Sequence, residues 1–211
     1  EVVYLENNRF ATYDVIFYFA DGALSDEKGK VGTTWMAFDG MGLGTNKYTK
    51  DQILDNLEFL GGSAQGNTTH EFTTVRYSGL AKDINPAFEM ICHLYQNAQY
   101  PQDQLKQYRK IALSSLQSMP SNPRALSERV YREIELEGTP YAYPAKGKMS
   151  DIQNISPKDL QEKMQYFVNH VKKRIYLTGP KSILSLKDIV INKCGFKSNE
   201  NDFVRKVDYK I

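Results

Sequence analysis

The sequence predicts an α+β fold, a mostly antiparallel sheet with helices packed against it. Three observations carry this expectation. Tyr13-Asp14-Val15-Ile16-Phe17-Tyr18-Phe19 is β-branched and aromatic, and places Tyr13, Val15, Phe17 and Phe19 on one face. A polar stretch, Ser63 to Thr69, and a second run, Phe72 to Leu80, flank a turn at His70-Glu71 and read as a hairpin. Helical periodicity then recurs behind proline-marked starts. With 211 residues, 41% of them apolar and 25% charged, the chain can bury a real core, and wholesale disorder is excluded. It is read as a single domain over residues 1–211.

In chain order, Asp21-Gly22 closes the first strand. The segment from about Lys28 to Asp39 carries Val31, Trp35 and Phe38 near helical spacing and is expected to be a buried helix. Gly40 to Gly44 breaks it. Thr49 and Gln52 form a capping box, after which Ile53, Leu54, Leu57 and Leu60 make an apolar stripe that Gly61-Gly62 ends. Beyond the hairpin, one helix is expected from Asn85-Pro86, with Phe88, Ile91, Cys92 and Tyr95 inward. Another follows Pro101 with Leu105, Tyr108, Ala112 and Leu116, and a third opens at Asn122-Pro123 with Leu126, Val130 and Ile134. A Gly/Pro/Tyr loop, Gly138 to Lys148, leads to a helix from Ser156-Pro157 with Leu160, Met164, Phe167, Val168 and Val171. Arg174 to Gly179 reads as a last core strand, and the tail beyond about Ile191 is polar.

Little here suggests chemistry. The 27 basic and 25 acidic residues are interspersed, which argues against a nucleic-acid binder, and no apolar run is long enough for a membrane span. His70, His93 and His170 are not paired at ligand spacing, so each is expected to be structural or on the surface. No nucleophile signature is present, and Gly40-x-Gly42-x-Gly44 follows a helix, so it reads as a helix stop rather than a phosphate loop. Cys92 and Cys194 are expected to be two separate thiols, one disulfide being the alternative, and the redox compartment is open. The chain starts at Glu1 with no leader ahead of it, and is read as a processed chain or a fragment of a longer one, with no localisation legible beyond a periplasmic or cell-envelope option.

Three stretches taken in order resemble the pitrilysin-insulinase family of zinc peptidases, which includes the mitochondrial processing peptidases. The first is Gly44-Thr45-Asn46-Lys47-Tyr48-Thr49 with the helix ending in Gly61-Gly62. The second is the hairpin from Ser63 to Leu80, then a helix to about Asn97 and Pro101. The third is Asn122-Pro123, Gly138-Thr139-Pro140-Tyr141, Ile155-Ser156-Pro157-Lys158-Asp159-Leu160 and Thr178-Gly179-Pro180. Together they run from about Tyr13 to Pro180. The resemblance implies the family's metallohydrolase-like domain fold.

The family's catalytic domains carry H-x-x-E-H, two zinc-binding histidines with a glutamate that activates water. By the family's spacing from Gly44-Thr45, Trp35 stands at the first histidine, Phe38 at the glutamate and Asp39 at the second histidine. The later glutamate ligand falls at Ser114 or Ser115. These degenerate positions imply no catalytic residue and no metal in this chain, with zinc expected in a catalytic domain elsewhere in the parent protein. The implied role is a non-catalytic peptidase-like domain, forming chamber wall and substrate-peptide contacts. The alternative is a structural or assembly subunit without peptidase activity. Implied partners are the catalytic half of the same protein or a homologous subunit, a peptide substrate, and a second copy in a homodimer.

Overall fold

The architecture is that of a computed structural model, which describes residues 2–118, 121–185 and Cys194. Five strands form one sheet, β1 (Val2–Glu6), β2 (Thr12–Phe19), β3 (Ser63–Thr68), β4 (Thr73–Leu80) and β5 (Lys173–Gly179), in the order β1-β5-β2-β4-β3. Only the β1–β5 pair is parallel. The fold is therefore α+β with a mostly antiparallel sheet, as predicted. The helices are α1 (Thr33–Asp39), α2 (Lys50–Phe59), α3 (Ile84–Asn97), α4 (Gln102–Ser118), α5 (Pro123–Glu135), α6 (Met149–Asn154) and α7 (Pro157–His170).

Strand β2 shows the predicted alternation, with Tyr13, Val15, Phe17 and Phe19 all buried. Register places Val75 and Tyr77 of β4 and Ile175 and Leu177 of β5 on the same face, and α1, α3 and α7 cover it with Met36, Phe38, Phe88, Ile91, Leu160 and Phe167. Each such side chain contributes about 1.5–3 kcal/mol on burial. The opposite face of the sheet carries Asp14, Arg76, Arg174 and Tyr176 in partial or full exposure, an arrangement antiparallel sheets tolerate.

Several expectations are corrected. The helix expected from Lys28 starts only at Thr33, because Gly29 and Gly32 take left-handed backbone conformations, with φ of 84° and 103°. In α2 Ile53 is buried, as is Leu60 just past its end, but Leu54 is exposed. Asn85 is not a cap, since α3 already starts at Ile84 after a 3-10 turn over Ala81–Asp83. Strand β1 and helix α6, of five and six residues, were not predicted, being too short to show a period. Cys92 and Cys194 are joined in a disulfide with Cα atoms 4.7 Å apart, and are not separate thiols. The folded chain brings position 194 against α3 across a separation of 102 residues, which local sequence cannot register.

The largest correction concerns α5. Asn122 caps it as expected, its side chain accepting from the Arg124 and Ala125 amides, with Pro123 at the first helical position. Yet no residue of α5 is buried, and its stripe of Leu126, Val130 and Ile134 faces outward.

Candidate functional site

Helix α1 is the element on which the resemblance places the degenerate metal motif. Seven residues make a weak helix on their own, so tertiary contacts must fix it. The fully buried Asp26 carboxylate accepts from the Gly32 amide at 2.8 Å, the Thr34 amide at 3.0 Å and the Thr34 hydroxyl at 2.6 Å, satisfying donors of the first turn. Lys163 of α7 stands 3.3 Å from Asp26 and also donates to the Ser25 carbonyl. Burial raises the Asp26 pKa, against the opposing pull of Lys163, Thr34 and Gly32.

Held in this way, α1 buries every residue from Thr33 to Phe38. Phe38 packs edge-on to Phe167 with centroids 4.8 Å apart and lies 5.1 Å from the Phe19 ring. Trp35 is 8% exposed, with the Tyr108 ring 6.3 Å away and the Lys146 ammonium 5.3 Å above the indole. Asp39 is exposed and accepts a 2.6 Å hydrogen bond from the Tyr108 hydroxyl of α4. Burial, and then the Asp39 charge, push the Tyr108 pKa well above that of a free tyrosine. Ser114 and Ser115 are exposed on α4, about two turns beyond Tyr108. The structure thus brings Trp35, Phe38 and Asp39 to one place and sets Tyr108 against them.

These residues do not fit zinc. An indole and a phenyl ring offer no lone pair for it, and the one carboxylate is engaged by a phenol. Among the described residues no group of three or more His, Cys, Asp and Glu side chains converges on a point. The histidines have local partners. His93 Nε2 lies 3.0 Å from the Thr45 hydroxyl and its ring meets Tyr48 edge-on. Burial, and then Lys47, lower its pKa. His70 donates from Nε2 to the Tyr143 carbonyl at 2.7 Å, and His170 rests by the Tyr166 ring.

What α1 does line is a groove of about 730 Å³. One wall is Trp35, Phe38 and Asp39 with Leu54 and Leu57 of α2. The other is Ala64 to Thr68 of β3, the last strand of the sheet, with Lys146 also on the lining. Lys146 belongs to the Gly138–Lys148 loop, which is tied down at three points. The Tyr141 hydroxyl donates to Glu71 at 2.7 Å, the Tyr143 carbonyl holds His70, and Gly147 crosses the start of α1. Gly147 has φ of 84°, and a Cβ there would stand 2.0 Å from the Val31 carbonyl oxygen, so no side chain fits. Tyr108 and Lys146 were not singled out from the sequence. A hydroxyl on the apolar stripe of α4 was the available sign for Tyr108, and no local sign marked Lys146.

Comparison with known proteins bears on this arrangement. Over 129 residues, 61% of this chain and 26% of the relative, it is 25% identical to subunit 1 of the mitochondrial cytochrome b-c1 complex of Bos taurus. Over 184 residues, 85% of this chain and 35% of the relative, it is 23% identical to the β subunit of the mitochondrial processing peptidase of Rattus norvegicus. The chain thus spans about a quarter to a third of these relatives. Its fold matches the peptidase M16 inactive domain from Pseudomonas fluorescens with a TM-score of 0.82 at 19% identity, covering 92% of this chain and 47% of that one. It also matches the periplasmic protease PqqL from Escherichia coli with a TM-score of 0.80 at 14% identity, covering 94% and 23%. The model of the insulinase family matches residues 2–145, more than half of the sequence, and the chain therefore belongs to the insulinase family, peptidase family M16.

Proposed function

We propose that this chain is a single non-catalytic M16 domain, which walls part of a substrate chamber and touches the peptide while another domain holds zinc. The M16 family is typically zinc-dependent, and its domains pair with a second homologous domain or subunit. The observation that carries the reading is the groove. Where the sequence resemblance puts a catalytic member's metal ligands, this chain packs Trp35 and Phe38 into the core and ties Asp39 to Tyr108, yet leaves an open cleft beside the edge of β3. An edge strand has backbone donors and acceptors facing away from its neighbour, which an extended peptide can pair with. The outward stripe on α5, Leu126, Val130 and Ile134, offers a surface for the homologous neighbour, since the matched proteins extend well beyond one such unit.

Metal analysis and peptide binding test the reading together. The chain is expected to bind no stoichiometric zinc, to leave unstructured peptides uncleaved, and to bind them at the groove with a change in the fluorescence of Trp35, its one tryptophan. One tight zinc per chain would overturn it.

The second reading, a structural or assembly subunit, is favoured by the match to the cytochrome b-c1 subunit. An H-x-x-E-H motif elsewhere in the parent gene supports the first reading, and its absence there and in any partner gene supports the second. Light scattering over a concentration series reports whether the α5 stripe finds a second copy.

A further inference from the structure

We infer that the groove prefers an extended peptide carrying an acidic side chain, and that Lys146 is the residue that reads it. This rests on the proposal above that the groove takes a peptide. The charges around the groove are already committed, with one exception. Arg76 donates through Nε to both Asp14 carboxylate oxygens, at 2.9 and 3.0 Å, and Asp39 is bonded to Tyr108. Lys146 is exposed and, among the described residues, has no carboxylate within ion-pair distance. The ammonium sits over the face of Trp35, which leaves it able to meet an anion on its other side.

Its position is built rather than incidental. Gly147 is wedged against the Val31 carbonyl, and a Cβ on Gly32 would stand 2.6 Å from the Lys146 carbonyl oxygen, so the backbone on which Lys146 rides is clamped to the start of α1. Thr68 lines the same groove and has a buried hydroxyl without a hydrogen-bond partner among the described residues. Leu54 and Leu57 of α2 make the lining apolar there. A strand laid along β3 sends alternate side chains to the α1 side. An acidic residue at one such position meets Lys146, and apolar residues at others meet Leu54 and Leu57. The carboxylate is therefore a side chain, not a chain end.

The test uses the full chain and three amidated peptides of about eight residues, identical except for Glu, Gln or Lys at one central position. Binding is followed by Trp35 fluorescence and by titration calorimetry. The Glu peptide is expected to bind about fivefold more tightly than the Gln peptide, the scale of one exposed ion pair, with the Lys peptide weakest. Lys146→Met abolishes the order and Lys146→Glu reverses it. Lys146 is exposed, so both variants are expected to unfold at the wild-type temperature. Equal binding of all three peptides, or an order that survives in Lys146→Met, overturns the assignment to Lys146 while leaving peptide binding intact. If no peptide binds by either method, the proposed peptide role fails, and this inference with it.

Discussion

Helices α1 and α5 invert the usual relation between helical sequence and helical burial. Helix α5 has an asparagine cap, a proline at its first position, an apolar stripe and two i,i+4 pairs, Arg129–Glu133 and Glu128–Arg132. Nothing in it is buried. Helix α1 is half as long, lacks a side-chain cap at its first residue and is preceded by a left-handed glycine, yet six of its seven residues are buried. The difference separates two sources of helical stability. Local propensity holds α5 together as a helix and leaves its stripe for something outside the described residues. The buried Asp26–Lys163 pair and the aromatic core hold α1, and the groove inherits its rigidity from them.

This contrast can be broken by substitution. The largest effect is expected for Phe38→Ala, which opens a cavity between Phe19 and Phe167 and should cost about 3–5 kcal/mol in denaturant unfolding. A loss below about 1 kcal/mol would mean that α1 is not where the core is anchored. Asp26→Ala leaves Lys163 buried without its carboxylate, although the Ser25 carbonyl still accepts from it, so the loss should sit near about 3 kcal/mol. Amide exchange across α1 should rise in step.

Tyr108→Phe removes one hydrogen bond to the exposed Asp39 and keeps the ring against Trp35, for about 1 kcal/mol. Its sharper readout is the Asp39 carboxyl, whose chemical shift should move along with that modest loss of stability. The smallest effect is expected for Ile134→Ser on α5, within about 0.5 kcal/mol. If α5 faces a homologous neighbour, that variant weakens self-association or assembly instead of the fold. A large loss of stability in the isolated chain would show that the stripe packs intramolecularly.

The sequence was legible wherever structure is made by neighbours along the chain. The alternation of β2, the Thr49–Gln52 capping box and the Asn122 cap all stand as predicted, because each depends on residues within one or two turns. The same local reasoning extended α1 back to Lys28, since the apolar spacing is indifferent to the backbone φ at Gly29 and Gly32. Leu126, Val130 and Ile134 have core periodicity with no core behind them among the described residues, and only packing distinguishes the two. At the candidate site, the existence of α1 was legible, while Trp35, Phe38 and Asp39 stand at the metal-motif positions only by the family resemblance. Counting along the sequence led to Ser114 and Ser115, while the contact with Asp39 is made by Tyr108, two turns earlier on the same helix. Lys146 over Trp35 depends on two chain segments clamped at Gly32 and Gly147, which no short-range pattern encodes.

The disulfide between Cys92 and Cys194 also sets a timetable for making the protein. Its two sulfurs are separated by 102 positions, so the bond cannot close until all five strands and every described helix have been synthesised. At about 5–20 residues per second, α3 waits roughly 5–20 seconds for its partner cysteine. Oxidation therefore comes only after residue 194 is made, and the redox state of the compartment in which the chain folds decides whether it happens at all. A chain completed in a reducing compartment would have the same strands and helices but no tether at residue 194.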